Sequence, residues 1–359
     1  MADQPLQLCV IEGDGIGHEV IPAALQVLAA TGLAFEVHPA DAGWDCFQAH
    51  GTALPAATVA TAQASDAILF GAVSSPSHKV EGYSSPIVAL RRELALFANL
   101  RPAVSRPIAT SRPDVDLLIV RENSEGLYVR QERREGDRAI AERVITVAGS
   151  ARIARVACEQ AQRRRRHLTI VHKANVLPET CGLFRETALA VAADYPDLKV
   201  DEMLVDAMAL QLVMHPERFD VIVTTNLFGD ILSDLTAGLV GGLGLAPSAN
   251  IGIQASRDTK TGQDTLHDPA LFEPVHGSAP DIAGQGIANP LAAFLSVAML
   301  LDHVGARERA ATLYAAVAHV IAHGPHTPDL GGDATTQAVT DAVIDMVEYQ
   351  EVELEDKET

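Results

Sequence analysis

Residues 219–238 read FDVIVTTNLFGDILSDLTAG. The first half is a short apolar, β-branched run bounded by polar residues, the pattern of a buried strand. The second half carries apolar residues at helical spacing, so a helix follows at once. HLTIVHKANV (167–176) and KVDEMLVDAM (199–208) also read as strands, and helical stretches separate the three. Strands alternating with helices define an α/β fold. On the expected helix, Asp230 and Asp234 lie four residues apart and point the same way. Two such carboxylates repel each other unless a cation sits between them. Oxygen-only ligands of this kind suit Mg²⁺ or Mn²⁺ rather than zinc. A solvated helix face is the plainer reading of the pair taken alone.

The pattern continues in both directions. LQLCVIEGDG (6–15) is a buried strand ending in a glycine turn, and HEVIPAALQVLAATG (18–32) a helix ended by Gly32. LAFEVHPADAG (33–43) and DAILFGAV (66–73) are further strands, the latter running into a Ser/Pro-rich loop at 74–77. IVALRRELALFANL (87–100) is an amphipathic helix or a helix plus a strand. The three prolines of RPAVSRPIATSRPDVD (101–116) suggest a crossover between domains, followed by the strand VDLLIVREN (115–123). QERREGDRAIAERVITV (131–147), with a turn at Gly136–Asp137, reads as a protruding hairpin or arm. Ser150 is the expected N-cap of the helix that follows. After Pro290 the chain is mostly helical, with VELEDKET (352–359) a solvated tail.

Composition narrows the function. A chain of 359 residues, 48% of it hydrophobic, holds one large or two ordinary domains. A net charge of −20 argues against nucleic acid or an anionic membrane as partner. An anionic substrate must therefore be drawn to a local basic pocket. The Arg163–Arg166 run lies at a helix C-terminus, where positive charge is favourable, and its surroundings are acidic. Cys9, Cys46, Cys158 and Cys181 are isolated, with no CxxC spacing, and read as reduced, buried small hydrophobes. The N-terminus shows no signal-peptide pattern and no apolar stretch reaches about 18 residues, so a cytoplasmic protein is expected.

GDGIGHEV (13–20) is near a dinucleotide fingerprint but fails its spacing. Gly13 and Gly15 fit, while the third glycine falls at Gly17 and the required position holds His18. It is a tight strand-to-helix turn able to approach a ligand. Arg91 and Arg101, in LRRELALFANLRP, and Arg121, in VRENSEGLY, form a second constellation. Guanidinium forks bond carboxylates through two N–H groups, so three of them suit a di- or tricarboxylate. Surface salt bridging is the plainer reading, and the one that fits Arg92.

Seven strings occur here in order: GDGIGHEV, LRRELALFANLRP, VRENSEGLY, VHKANV, VDAMALQLV, TTNLFGDILSDL and EPVHGSAPDIAGQGIANP. From about Val10 to Leu301 the chain resembles the metal-dependent, β-decarboxylating 2-hydroxyacid dehydrogenases that act on isocitrate, 3-isopropylmalate and homoisocitrate. The resemblance implies a large twisted sheet flanked by helices, in two domains and not a Rossmann fold. Residues 1–100 with 251–359 would form a discontinuous dinucleotide-binding domain. Residues 101–250 would form a smaller dimerisation and metal/substrate domain, with an arm near 130–150. It implies catalytic roles for Tyr128, Lys173 and Asp206, and Mg²⁺ or Mn²⁺ on Asp206, Asp230 and Asp234. Lys173 and Asp206 would serve a neighbouring subunit in a homodimer or homotetramer. His276, Gly277, Ser278, Ala279, Asp281, Ile282 and Asn289 would hold the adenosine half of NAD, and Asn175 would touch cofactor and substrate. NADP-using relatives carry Lys-Tyr where this chain has Asp281-Ile282; a carboxylate there would bond the ribose and repel the extra phosphate. Regulatory relatives lose metal or catalytic residues, which this chain retains.

The substrate segment is YSSPIVALRR (83–92). Isopropylmalate dehydrogenases carry a glutamate where this chain has Ser84, and leucines nearer the arginine. Isocitrate dehydrogenases carry a serine at the place of Ser85, followed by Leu-Asn, where this chain has Pro86-Ile87. The segment looks most like that of the fungal-type homoisocitrate dehydrogenases. A small tricarboxylate bound by Ser84, Ser85, Arg91, Arg101, Arg121, Tyr128, Lys173 and Asn175 is therefore the expected substrate, oxidised in the aminoadipate route to lysine.

Overall fold

A computed structural model describes residues 4–358, apart from 77, 79, 253, 258–263, 268 and 269. The N-terminal third lays down β1 (Leu6–Gly13), α1 (Gly17–Ala30), β2 (Phe35–Pro39), α2 (Trp44–His50), α3 (Ala56–Ala64), β3 (Ala67–Ala72), α4 (Pro86–Glu93) and β4 (Ala98–Val104). There follow β5 (Asp116–Glu122), β6 (Glu132–Glu135), β7 (Arg138–Ala141), α5 (Val147–Gln162), β8 (His167–His172), α6 (Thr180–Ala192), β9 (Lys199–Leu204), α7 (Val205–Met214), β10 (Val221–Thr224) and α8 (Asn226–Leu239). The chain ends with β11 (Pro247–Ile251), β12 (Gln254–Arg257), β13 (Asp264–His267), β14 (Ala270–Pro274), α9 (Leu291–His303), α10 (Arg307–His323) and α11 (Thr336–Glu358). α11 runs through the expected solvated tail, whose side chains lie outside the described residues.

Ten strands form one mixed sheet in the order β2-β1-β3-β14-β11-β4-β5-β10-β8-β9. The outer strands are parallel, while β11 and β4 run antiparallel to their neighbours. Strands β3, β10 and β14 are buried along their whole length, as apolar runs covered on both faces should be. The large core cluster includes Val20 and Leu28 of α1, Ile153 of α5 and most of α9. α9 is buried on almost every side, and its sequence is correspondingly apolar all round.

The first residues of the proline-rich stretch 101–116 belong to β4, and the rest is a loop returning directly to β5, the adjacent antiparallel strand. One expectation needs correction. Ser150 does not cap α5; it is buried one turn inside the helix. Thr146 is the cap, its Oγ1 accepting from Gly149 N at 3.0 Å, and the Glu125 carboxylate holds Thr146 in turn. The expected hairpin is present as β6 and β7, paired Glu132 to Ala141.

Candidate active site

The centre of the sheet gathers residues far apart in sequence. Arg91 comes from the last turn of α4, Arg101 from β4 and Arg121 from β5. They line one cavity of about 260 Å³ with Tyr128, Asp230, Glu273 and His276. Arg121 is 2% exposed, a burial a guanidinium tolerates only with partners. Asn226 Oδ1 accepts from its Nε at 3.1 Å and Nη2 at 2.7 Å, and Asp230 takes its Nη1. α8 can lie this close because residue 229 is glycine: a Cβ there would fall 2.5 Å from Arg121 Cγ. Arg91 pairs with Glu273 at 2.8 Å. Arg101 pairs with Asp234 at 3.1 Å and reaches Asp230 at 3.7 Å.

Three guanidiniums thus face three carboxylates. Burial, and then repulsion from Arg101, lowers the pKa of Arg121 to about 10, still charged at neutral pH. Burial and the nearby Arg91 lower that of Arg101. Burial works against the charge of Asp230, yet Arg121, the Tyr128 hydroxyl and Arg101 outweigh it and its pKa falls below the ordinary value. Asp234 has less help: burial raises its pKa despite Arg101. Tyr128, on a short 3₁₀ turn (Leu127–Val129), has its pKa raised by burial and by its bond to Asp230.

Lys173 and Asp206 are placed elsewhere. Lys173 follows β8, Asp206 opens α7, and Nζ meets Oδ1 at 2.5 Å. Neither lines the arginine cavity. Among the described residues no three of His, Cys, Asp and Glu come together as a metal-holding group. Exposed apolar side chains follow both in sequence: Val176 and Leu177 after Lys173, and Leu210, Val213 and Met214 on α7 after Asp206; Ile231 of α8 is also exposed. Asn175 is exposed beside them and lines neither of the two cavities.

Ser84 and Ser85 line a second, more open cavity of about 820 Å³, with Tyr83, His78, Glu81 and Arg130. The two cavities share no lining residue, but the same stretches of chain serve both: Val73 and Ser75, Ser85 and Ile87, and Tyr128 and Arg130. No motif in the sequence singles out Arg130.

The glycine turn of residues 13–17 clasps the expected cofactor loop. Ile16 N donates to Ser278 O at 2.9 Å, and Glu19 accepts from Gly284 N at 2.6 Å. A Cβ on Gly15, whose φ is +56°, would lie 2.2 Å from Ser278 O. Buried Asp14 accepts from the backbone N–H groups of Trp44, Asp45 and Ser74, and Ser74 Oγ donates to Ser278 Oγ at 2.7 Å. His276 and Gly277 border the arginine cavity, with His276 Nε2 buried and without a partner. Ala279 takes a left-handed φ of 38°, Asp281 is exposed, and Ile282 packs on the core. The Asn289 amide is engaged within the protein: Nδ2 donates to Asp329 at 2.9 Å and Oδ1 accepts from Leu291 N.

This geometry brings three arginines, a tyrosine and Asp230 to the lining of one cavity, with Asp234 paired to Arg101 beside it. The isocitrate/isopropylmalate dehydrogenase family matches residues 7–347, and the chain belongs to it. It is accordingly an enzyme, an oxidoreductase. It is 59% identical over 340 residues to the isocitrate/homoisocitrate dehydrogenase of Thermus thermophilus, covering 94% of this chain and 98% of that one. It is 47% identical over 344 residues to the 3-isopropylmalate dehydrogenase of Archaeoglobus fulgidus, covering 95% and 99%. Among solved structures, isocitrate dehydrogenase from Methylococcus capsulatus superposes with a TM-score of 0.87 at 44% identity, covering 96% of this chain and 99% of that one.

Proposed function

We propose that the protein oxidises and decarboxylates homoisocitrate to 2-oxoadipate with NAD, a step of lysine biosynthesis, and that isocitrate is a second substrate. The observation that carries this reading is a pair of cavities lined by neighbouring residues of the same chain stretches: one basic, holding Arg91, Arg101 and Arg121, the other lined by Ser84, Ser85 and Arg130. The first suits the two carboxylates and hydroxyl around C2 and C3. The second offers hydroxyls and a guanidinium to a distal carboxylate.

The donor set fits a hard dication. Asp230 and Asp234 supply only oxygens, and their charge, with that of Glu273, already balances the three arginines. A polyanionic substrate entering alone would leave the site negative. The third carboxylate would be Asp206 of a second copy, docked through the apolar face around Lys173, in a homodimer or homotetramer. A dication held there would polarise the C2 oxygen and bound NAD would accept the hydride. Lys173 of the second copy takes the proton of the C2 hydroxyl, and Tyr128 returns a proton to C3 after carbon dioxide has left. We assign residues 1–100 with 251–359 to a cofactor domain, and 101–250 to a dimerisation and metal/substrate domain.

Oxidation of 3-isopropylmalate is a second reading. It draws on Ile87 and Val88, apolar residues lining the arginine cavity. The test compares kcat/KM for NADH formation with homoisocitrate, isocitrate and 3-isopropylmalate. The tricarboxylates are expected to win by at least about tenfold, since polar groups left unpaired discriminate strongly. Equal or faster turnover of 3-isopropylmalate would reverse the assignment.

A further inference from the structure

Beneath the arginine cavity runs a buried polar row that crosses the sheet. Asn99 on β4 and Asn250 on β11 stand opposite each other in register, and both are 0% exposed. Glu273, on the next strand β14, is 8% exposed. Five bonds connect them. Arg91 Nη2 donates to Glu273 Oε1 at 2.8 Å, and Asn250 Nδ2 donates to the same oxygen at 2.7 Å. Asn99 Nδ2 donates to Asn250 Oδ1 at 2.9 Å, and Asn123 Nδ2 does so at 2.9 Å. Arg101 Nε donates to Asn99 Oδ1 at 2.7 Å.

This row lies in otherwise apolar strands and needs a reason. An uncompensated buried amide is costly, so a row of them is retained where most of its polar atoms find partners; within this row Asn123 Oδ1 and Arg91 Nε are buried without one. Asn250 is satisfied at both ends: its oxygen accepts twice, and its nitrogen donates to Glu273 and, at 3.4 Å, to Leu271 O. Only a carboxamide accepts and donates this way at one place. Leucine would do neither, and aspartate would set a second negative charge against Glu273. The row ends in Arg91 on one side and Arg101 on the other. Those two like charges repel, and their separation would be loose if each were held only by its outer partner.

We propose that Asn250 is a positioning residue, which fixes the spacing of the Arg91 and Arg101 guanidiniums through Glu273 and Asn99 and so shapes the cavity for a substrate bearing two carboxylates at a set distance. This rests on the arginines binding substrate, as proposed above, though not on which family substrate is used. All three candidates share the hydroxyl-bearing carbon pair with its two carboxylates.

The test uses the full-length protein with Asn250→Leu and, as a milder change, Asn250→Ser. Hydrogen exchange at the Arg101 Nε–H, read by NMR in the absence of substrate, should speed up by about tenfold or more as the row is broken. KM for homoisocitrate, isocitrate and 3-isopropylmalate should rise together, by about tenfold, while KM for NAD stays within about twofold. Combined with Arg91→Lys or Arg101→Lys, the Asn250→Ser change should cost less than the product of the single effects, because each pair acts as a unit. Unchanged Arg101 exchange, or effects that multiply with both arginine variants, would overturn the proposal. If none of the three compounds is turned over by wild type, the functional reading fails, and Arg101 exchange still decides the role of Asn250. If Asn250→Leu does not fold, the serine variant carries the same comparisons.

Discussion

The Tyr128 hydroxyl donates to Asp230 Oδ2 at 2.6 Å, and the other oxygen of the same carboxylate receives Arg121 Nη1. One aspartate therefore ties the proton donor to the most deeply buried of the three arginines. The bond also helps hold the phenol proton, since it raises the Tyr128 pKa while Asp230 stays ionised. A proton held in this way suits the acid role proposed for Tyr128.

Substituting these residues should separate their roles. Tyr128→Phe should lower kcat by roughly 10²–10⁴, the usual worth of a positioned acid, with little change in KM. Asp230→Asn and Asp234→Asn should cost more than the roughly 10–100-fold of outer partners to a metal, and chelation of wild type should do the same, reversibly with Mn²⁺ or Mg²⁺. Circular dichroism should show all three variants folded. Full activity in excess chelator would remove the dication from the scheme.

Lys173 pairs with Asp206 outside the lining of the arginine cavity, and exposed apolar side chains follow each of them along the chain. Mixing an inactive Lys173→Ala chain with an inactive Tyr128→Phe chain should therefore restore activity. A mixed dimer has one site with both defects and one with neither. If hetero-dimers verified by mass bring no recovery, both residues belong to the site of a single chain.

Asp281 is exposed on the loop expected to carry the adenosine. NAD should be preferred over NADP by at least about tenfold in kcat/KM, or about 1.4 kcal/mol, through attraction of the ribose and rejection of the phosphate. Asp281→Lys with Ile282→Tyr should shrink or invert that preference. Equal use of both cofactors by wild type would remove Asp281 from the selection.

His276 should make the protein acid-sensitive. Burial lowers its pKa below the ordinary 6.5, outweighing the bond to Gly277 O. The unfolded chain thus takes up the proton first as pH falls. The stability contributed by the neutral ring is complete above about 6.5 and is lost below it, through the lowered folded value, at no more than about 1.4 kcal/mol per pH unit. Urea midpoints measured from about pH 7 to pH 5 should fall less steeply in His276→Asn than in wild type. Matching slopes would mean that His276 titrates alike in both states.

The sequence by itself determined the family and many of the elements, though not α2, α3 or the strands β11 to β14. Residues 219–238 form β10 and α8 because a β-branched run and a helical period are local properties, visible without knowing any neighbour. Seven motifs in order named the arginines, the tyrosine and the aspartates, and the arginine cavity holds Arg91, Arg101, Arg121, Tyr128 and Asp230 together. Only the tertiary structure decided what they touch. Tyr128 and Asp230 are 102 residues apart, and Arg91 and Glu273 are 182 apart. Such pairs meet because of the strand order, which places β14 and β11 between β3 and β4 and which no local pattern encodes. For the same reason Thr146 rather than Ser150 caps α5: the hydroxyls look alike in sequence, but only Thr146 is met by Glu125 at the helix start. Neither Asn99 nor Asn250 was singled out in the sequence, and no strand was expected where β11 lies. Their partnership appeared when β4 and β11 were set side by side, because a buried amide takes its meaning from the groups that satisfy it.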